Sequence, residues 1–416
     1  MSIRTLAAAA AITLALGANQ AAADVTVHVL HVDQNSDALW KQIAEDYNKA
    51  HPGVKVVVEY LENEAFKAKL PTLLQSNDRP NIIYSWAGGV MRAQIEAGYI
   101  EDITAAIADF KDSFYPAALN AYNVGGKVYG IPVQLSQVGI FYNKQLVQKG
   151  GVDPTSIKTW DDFLAAVKKL KAAGVTPIVM GGGEKWPMHF YWSYLLMRVG
   201  GSSVLNEAEA GKNGGFKGAA FVEAGKRLKE LSDLQPYQEG WLSTLFPAST
   251  GMFGDGKGAF DLMGNWLLGM QGPNATNGKG LAASDIGMIG FPTLAGGKGQ
   301  ATDTFGGMQG FLVTKGSPKE AVDFLKFFSS PDEQSKAAAA GVYIPAVKGT
   351  DAAIKDPLIK QIAVNIANST WHQNFLDQEL GPSVGRVVND NSVAIAAGQT
   401  SPDDASAAIQ DAWDQR

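Results

Sequence analysis

Residues 129–144 constrain the fold of this 416-residue chain more than any other stretch. Two short apolar runs, at 129–133 and 138–142, flank the polar interruption at 134–137. Pro132 has no backbone N–H, so it suits the end or edge of a strand better than its middle. The pattern predicts an extended segment that leaves one domain and enters another, with amide and hydroxyl side chains where the chain crosses.

Two motifs in this region carry a family resemblance. Gly-Lys-Val-Tyr-Gly-Ile-Pro occupies residues 126–132, and Tyr-Asn-Lys occupies residues 142–144. With them the chain resembles the extracellular solute-binding proteins of ABC importers, in the sugar-binding branch that includes the maltose-binding type. The resemblance covers nearly the whole mature chain. It implies an α/β, two-lobed periplasmic binding protein fold, in which each lobe is a mostly parallel sheet flanked by helices.

The same resemblance implies how the chain is divided. Lobe 1 is expected to hold residues 24–135 plus 310–350, and lobe 2 residues 136–309 plus 351–416. The crossovers that hinge the two lobes are expected at about residues 134–137, at 307–310 and in a third strand nearer 350. A hydrophobic content of 46% allows cores of this size.

The first 23 residues predict a secretory signal peptide. Arg4 gives a positive start, residues 6–16 are apolar, and three alanines at 21–23 suit cleavage before Asp24. No later run approaches the ~20 apolar residues that a membrane-spanning helix needs. The chain has no cysteine, so a lipid anchor on an N-terminal cysteine of the mature protein is excluded. We therefore expect a protein of the periplasm, and we also expect a monomer.

Charge and motifs exclude several other classes. A net charge of −6 offers no basic surface for nucleic acid. The histidines do not have metal-ligand spacing, so no metal is predicted. The glycine-rich stretches at 181–183 and 254–258 match neither phosphate-binding loops nor dinucleotide fingerprints. We expect no cofactor.

The N-terminal pattern predicts a ligand site at strand ends. Strand, helix and strand follow one another within residues 24–60, and a third strand is predicted at 81–85, which indicates parallel pairing. Ligands of α/β proteins gather outside the carboxyl ends of such strands. The polar loops at 33–36, 62–64 and 85–89 are therefore expected to converge.

The second half repeats this arrangement. Further expected elements are a helix at 160–173 capped by Thr159, strands at 176–180, 259–263, 286–291 and 310–313, and helices that begin at Ser317, Ser330 and Ser401. Each of these three serines is followed by Pro and then by an acid in the first turn, which is typical of a helix start.

Three tryptophans, Trp86, Trp186 and Trp266, each follow a predicted strand in a glycine-containing loop. An isolated tryptophan in such a place is more often part of a core. Three in corresponding places of both predicted domains favour ligand contact, because an indole face can lie on the C–H face of a sugar. The resemblance places Trp86 and Trp266 where sugar-stacking aromatics are usual, and Trp186 near such a position.

Polar candidates complete the predicted site. They are Gln34, Asn35, Glu64, Gln134, His189, Asp303, Gly307 and Arg386. Each alone could be an ordinary loop or surface residue, and the argument depends on their convergence. Gly307 would let the backbone approach a ligand closely. Arg386 would suit hydroxyl pairs or an anionic sugar, or it could be an arginine on a helix surface.

Three functions remain open from the sequence. The first is the carbohydrate-binding subunit of an ABC importer, not an enzyme, which delivers a di- or oligosaccharide to a membrane permease. The second is a secreted glycoside hydrolase, which needs two carboxylates on opposite sides of one bond. The third is a binder of an anionic sugar, an amine or another small solute.

Overall fold

The computed structural model describes residues 25–416, in which strands and helices alternate along most of the chain. The predicted signal peptide, residues 1–23, lies outside the described residues. The strands are β1 (Val25–His31), β2 (Val54–Tyr60), β3 (Ile82–Ser85), β4 (Asn123–Val124), β5 (Lys127–Val128), β6 (Gly130–Asn143), β7 (Phe260–Gly264), β8 (Ile286–Ile289), β9 (Thr304–Val313), β10 (Ile344–Pro345) and β11 (His372–Asn374).

Helices connect most of the strands. They are α1 (Asp37–Ala50), α2 (Asn63–Gln75), α3 (Gly88–Glu96), α4 (Pro116–Asn120), α5 (Lys144–Lys149), α6 (Trp160–Ala172), α7 (Trp186–Gly200), α8 (Val204–Glu209), α9 (Ala219–Asp233), α10 (Phe246–Gly254), α11 (Leu267–Asn274), α12 (Glu320–Phe328), α13 (Pro331–Ala339), α14 (Pro357–Ala367), α15 (Leu376–Glu379), α16 (Gly381–Ala396) and α17 (Pro402–Asp414). Within residues 25–416, none of them combines the length and the apolar character that crossing a membrane requires.

The N-terminal βαβ unit forms as its pattern predicts. β1 and β2 pair in parallel, from Val25 opposite Val54 to His31 opposite Tyr60. Between them, α1 buries Trp40, Ile43, Ala44 and Tyr47 on one face. β3 pairs in parallel with the other side of β1, so the carboxyl ends of three strands meet at one edge of the sheet.

The buried apolar side chains form two cores. The first core draws on residues 27–133 and 311–347, and the second on residues 138–305 and 338–409. β6 contributes Ile131 to the first core and Ile140 to the second, while β9 contributes Phe311 to the first and Phe305 to the second. These two antiparallel strands therefore connect the cores, and the predicted crossing at 134–137 lies in the middle of β6.

Within residues 25–416 the main sheet has nine strands and is mixed. Its order is β10-β6-β9-β3-β1-β2, with β11 on β9 and with β7 and β8 on β6. The expectation of mostly parallel sheets holds around β1 but not around β6, with which β7, β8, β9 and β10 all pair antiparallel. The antiparallel direction follows from how the chain is connected. β6 runs from the first core into the second, whereas β7 runs the opposite way and ends with Gly264 opposite Val138.

The predicted strand at 176–180 is reduced to two isolated parallel bridges at Ile178, one to Tyr237 and one to Phe260. Pro177 has no N–H to donate, and the backbone groups of Met180 are hydrogen-bonded to the side chain of Gln238. Gln238 accepts a hydrogen bond from the Met180 N–H at 2.9 Å and donates one to its carbonyl oxygen at 2.7 Å. A side chain therefore satisfies the groups that a neighbouring strand would otherwise pair.

Most predicted helix starts are confirmed. Thr159, Ser330 and Ser401 cap α6, α13 and α17, and each hydroxyl accepts a hydrogen bond from a backbone N–H in the first turn. The start predicted at Ser317 is wrong, because α12 begins at Glu320. The Ser317 hydroxyl instead donates to a backbone carbonyl just before β3, which ties this loop to the sheet.

Candidate ligand-binding cleft

A cleft with about 920 Å³ of atom-free space, part of it open to solvent, is lined by elements of both cores. On one side lie residues at the carboxyl ends of β1, β2 and β3, and on the other side lie residues of α7, α10, α11 and α15. The middles of β6 and β9 contribute Gln134, Ser136 and Gln309 between the two sides. The three loops expected to converge after the first strands therefore meet at this cleft.

Seven of the predicted site residues line the cleft. They are Gln34, Asn35, Trp86, Gln134, Trp186, His189 and Trp266. They come from elements far apart in the chain, and the fold brings their side chains to one place. The structure thus places all three predicted tryptophans in the cleft lining.

Two predicted acids, Glu64 and Asp303, do not line the cleft. The Glu64 carboxylate accepts a 3.1 Å hydrogen bond from Lys67, and the preceding helix cap, Glu62, faces the cleft instead. The Asp303 carboxylate accepts a 2.6 Å hydrogen bond from the backbone N–H of Gln300. Its carbonyl oxygen accepts hydrogen bonds from the buried guanidinium of Arg198, so Asp303 is held in the second core.

Gly307 and Arg386 also lie outside the cleft lining. The Gly307 N–H donates to the Ser136 hydroxyl at 3.0 Å, and a Cβ added at Gly307 would overlap the ring of Phe375. The glycine thus makes room for an aromatic ring of the cleft rather than for a ligand. Arg386 is exposed on α16, and the cleft is reached from the preceding helix, through Asp377.

Trp86 is half-buried on the first-core side of the cleft. Its ring packs edge-on against Tyr84 at 5.0 Å and Phe66 at 5.9 Å between centroids, and the Lys67 ammonium lies 5.6 Å from the ring centroid. The next residue, Ala87, has φ 57° and ψ −150°. Non-glycine residues rarely adopt this conformation, and such strain is common at ligand sites. The strained backbone at Ala87 sets the direction in which the chain continues from Trp86 into α3.

The second-core side of the cleft is mainly aromatic. The half-buried ring of Trp266 packs edge-on against Phe375 at 6.0 Å and Phe190 at 6.3 Å, and these two phenylalanines stack on each other at 5.6 Å. A Cβ added at Gly264 would overlap the Trp266 indole, so the absence of a side chain there lets the ring lie against β7. Trp186 is more deeply buried, with 7% of the residue exposed.

Amide groups hold the polar part of the cleft. The Asn35 side-chain amide donates to the backbone carbonyl of Trp266 at 3.0 Å, which joins the two sides. Gln134 donates to the Asp33 carboxylate at 3.3 Å and to the Tyr84 hydroxyl at 3.4 Å. Burial raises the pKa of Asp33, although hydrogen bonds from neighbouring groups oppose the shift. Hydrogen-bond donors therefore surround the carboxyl of this half-buried residue.

Acidic groups on the two sides of the cleft interact. Glu184 precedes α7, and its carboxylate accepts a 3.2 Å hydrogen bond from the Phe246 N–H. Burial, followed by the negative charges of Glu62 and Glu64, raises the pKa of Glu184 to about 7. Glu62 and Glu64 stand at the start of α2, so like charges from both sides of the cleft affect one another.

Comparison with known proteins identifies the family. The sequence profile of the family described as bacterial extracellular solute-binding protein matches residues 32–335, which is well over half of the chain. The chain belongs to this family. The resemblance seen in the sequence is thereby confirmed, and family and fold are those of binding proteins.

Relatives of this solute-binding protein match it over most of their length. The multiple sugar-binding protein of Streptococcus mutans is 24% identical over 393 residues, 90% of this chain and 89% of that protein. A structure from work on xylan utilization by the thermophilic bacterium Caldanaerobius polysaccharolyticus has a TM-score of 0.86 and 27% identity, and covers 93% of this chain and 99% of that chain. A chitin oligosaccharide binding protein has a TM-score of 0.85 and 23% identity, and covers 94% and 98%. The two-lobed fold is confirmed.

The sequence interpretation missed several cleft residues of this solute-binding protein. Lys67 stands four positions after Asn63, and both line the cleft from one face of α2. Residues at i and i+4 share one face of a helix, so the position of Asn63 in the predicted loop at 62–64 could have indicated Lys67 as a cleft residue. Phe375, Asp377 and Gln378 follow the three-residue strand β11, which is too short to leave a periodic pattern.

Proposed function

We propose that this solute-binding protein is the periplasmic substrate-binding subunit of an ABC transporter and captures a di- or oligosaccharide in its cleft. The observation that carries the proposal is the pair of half-buried indoles, Trp86 and Trp266, on opposite sides of a cleft lined by amides and carboxyls. Flat aromatic faces suit the C–H faces of sugars, and the fixed polar groups suit their hydroxyls. Relatives named for multiple sugars and chitin oligosaccharides, and one from work on xylan use, support this ligand class.

The charges of the cleft favour a neutral sugar over an anionic one. Within the described part of the chain, Lys67 is the one lysine or arginine in the cleft lining, whereas Asp33, Glu62 and Asp377 are acids. Arg386, the sequence candidate for an anionic ligand, is exposed and lies elsewhere. An anionic sugar would meet more like charge than opposite charge here.

The bonding of the cleft acids supports binding rather than hydrolysis. Glu62 caps α2 by accepting hydrogen bonds from two backbone N–H groups. Asp33 accepts from the Asn35 N–H and from Gln134, and Asp377 accepts from Asn389. Glycoside hydrolysis needs one carboxyl group placed to protonate the leaving oxygen and a second placed to attack or to activate water. Each of these acids has at least one carboxylate oxygen bonded within the protein, and none is paired with a second acid in that arrangement.

Lobe movement would link binding to transport. We propose that residues 24–135 plus 310–350 form lobe 1 and residues 136–309 plus 351–416 form lobe 2. The membership of the two cores supports this division except at Ala338 and Ile344, which belong to the second core. A sugar that contacts both lobes stabilises the closed arrangement, which the membrane permease then recognises. The protein would act as a monomer without a nucleic-acid partner, in keeping with its net charge of −6.

A thermal-shift screen of the mature chain against a sugar panel tests the proposal. The panel holds neutral mono-, di- and oligosaccharides, matched sugar acids and aryl glycosides. A ligand that binds only the folded chain adds ~2.7 kcal/mol of stability at a hundredfold excess over Kd. We expect a concentration-dependent rise in Tm with a neutral di- or oligosaccharide. Turnover of an aryl glycoside, or no shift with any sugar, would contradict the proposal.

A further inference from the structure

His189 lies in the first turn of α7, and its imidazole is buried in the cleft wall, with 1% of the residue exposed. Its Nδ1 is 2.7 Å from the backbone carbonyl oxygen of Trp186. A carbonyl oxygen only accepts hydrogen bonds, so Nδ1 must carry the hydrogen. Burial lowers the pKa of His189 against the opposing effect of Asp377, which keeps the ring neutral. The other nitrogen, Nε2, is therefore a bare acceptor.

Nε2 of His189 has no hydrogen-bond partner among residues 25–416. Asp377 Oδ1 lies 3.8 Å away, beyond hydrogen-bond distance. The two atoms are both acceptors, so neither can satisfy the other. The buried Nε2 requires a donor, Asp377 Oδ1 can accept one, and both residues line the cleft.

Asp377 is held as a charged acceptor. It lies in α15 with 7% of the residue exposed, and its Oδ2 accepts a 3.2 Å hydrogen bond from Asn389. Burial opposes ionisation, but the charge of Lys67 and the side chains of Asn389 and Gln378 outweigh it and hold the pKa of the Asp377 carboxyl below its usual range. Oδ1 is thus a strong acceptor that the protein leaves available.

We propose that His189 Nε2 and Asp377 Oδ1 form a specificity subsite that binds two neighbouring hydroxyl groups of a neutral sugar, one hydroxyl donating to each acceptor. The inference rests on the carbohydrate-binding function proposed above. Two acceptors 3.8 Å apart match two adjacent donors on a sugar ring better than a single hydroxyl, which has one hydrogen to give.

An ammonium group fits this subsite less well than a hydroxyl pair. The positive charge of Lys67 acts on both His189 and Asp377, so it would repel a second cation placed between them. A ligand that lacks one of the two hydroxyls leaves one of the two acceptors without its donor, and sites built to hydrogen-bond a hydroxyl discriminate against analogues that lack it. The subsite therefore selects by the position of hydroxyls, beyond the general affinity that stacking provides.

Calorimetric titration with deoxy sugars tests the proposal. The ligand is the sugar that stabilises the wild-type chain in the panel, together with its monodeoxy analogues, one for each hydroxyl. We expect wild type to lose affinity by about ten- to a hundredfold for two analogues, deoxygenated at adjacent positions. In His189→Phe one of these losses should disappear, and in Asp377→Asn the other should shrink.

His372→Phe is the matched control. His372 is another histidine whose Nε2 is buried without a partner in the described chain, and it lies outside the cleft lining. This variant should show the same deoxy losses as wild type. Thermal unfolding of the ligand-free variants establishes whether they fold. If His189→Phe does not fold, Asp377→Asn, which changes the side-chain shape least, still tests the proposal.

The outcomes separate the subsite from the function. If the parent sugar binds but both cleft variants retain the wild-type deoxy losses, the subsite is overturned while the carbohydrate function stands. Losses that vanish at a single hydroxyl in both variants also contradict a two-hydroxyl subsite. If no sugar of the panel binds to the wild-type chain, the proposed function fails, and the subsite fails with it.

Discussion

The side-chain amide of Asn35 donates a 3.0 Å hydrogen bond to the backbone carbonyl of Trp266, from the first-core side of the cleft to the second. A reciprocal bond of 3.2 Å runs from the Asn374 amide to the backbone carbonyl of Trp86. Trp266 and Trp86 are thus each held at the backbone by an asparagine from the opposite side. The backbone positions of both tryptophans are therefore coupled to how closely the two sides approach.

Removing one of these bonds should weaken ligand binding. Asn35→Ala deletes one hydrogen bond between the two sides, and such a bond contributes about 0.5–1.5 kcal/mol, a two- to tenfold change in Kd. We expect sugar affinity to fall by about that factor, measured by calorimetry, with little change in Tm of the ligand-free chain. Asn368→Ala, at the exposed end of α14, is the control. Unchanged affinity in Asn35→Ala would show that the bond has no part in closure.

Trp266→Ala should remove most of the sugar affinity without unfolding the protein. The ring is half-buried and reaches its aromatic neighbours edge-on, so its loss leaves most of the second core in place. Truncating a central aromatic contact costs about 2 kcal/mol or more, roughly a thirtyfold rise in Kd.

Trp413→Ala is the matched control for that experiment, because Trp413 packs against Phe216 and Arg416 and does not line the cleft. The comparison uses calorimetric affinity together with the Tm of each ligand-free variant. If Trp266→Ala binds sugar as tightly as Trp413→Ala does, Trp266 serves packing alone.

The raised pKa of Glu184 predicts a pH-dependent affinity. Burial and the charges of Glu62 and Glu64 raise this pKa to about 7, so the carboxyl is protonated at lower pH and repels the opposite side when it ionises. Affinity for a neutral sugar should therefore fall several-fold between about pH 6 and about pH 8. In Glu184→Gln it should stay flat, near the wild-type value at low pH. Glu45→Gln, on the exposed face of α1, should behave as wild type. A flat wild-type profile would refute the repulsion.

Asp261 predicts a pH-dependent stability that is separate from binding. Its carboxyl lies in the second core with Oδ2 unpartnered within the described residues, and burial raises its pKa from 3.8 to about 8. Above 3.8 the unfolded chain releases this proton while the folded chain retains it, so the group destabilises the folded state increasingly as pH rises towards 8. Asp261→Asn should raise Tm by a few degrees, more at about pH 8 than at about pH 5.

Calorimetric unfolding across that pH range measures the effect. Asp78→Asn removes an exposed carboxylate and is the control, with a Tm that follows wild type. An Asp261→Asn variant whose gain in Tm is the same at both pH values would contradict a proton held by the folded chain alone.

The positions of Trp86 and Trp266 could be predicted because they depend on local signals. Each follows an apolar run that forms a buried strand, β3 or β7, and ligands gather at strand ends. The same reasoning located the loop of Gln34 and Asn35 after β1. Such signals need only a strand of ordinary length and the loop that follows it.

The positions of Asp377 and Arg386 could not be predicted in this way. β11 pairs with β9 over three residues, at a separation of 68 positions between Thr304 and His372. This long-range pairing decides that α15, rather than α16, reaches the cleft. A strand of three residues is too short for the periodicity of the sequence to predict it. The acceptor pair of Asp377 and His189 likewise exists only once two distant helices have packed.

Gly264→Ala provides a test of the aromatic wall that leaves Trp266 itself in place. A methyl group at residue 264 would overlap the Trp266 indole, so the ring must leave its place against β7. We expect sugar affinity to fall in the same direction as in Trp266→Ala, with a shift in tryptophan fluorescence of the ligand-free chain. Gly290→Ala is the matched control, because a Cβ there meets nothing within 4 Å. Equal affinity in the two alanine variants would mean that the place of the indole against β7 does not matter for binding.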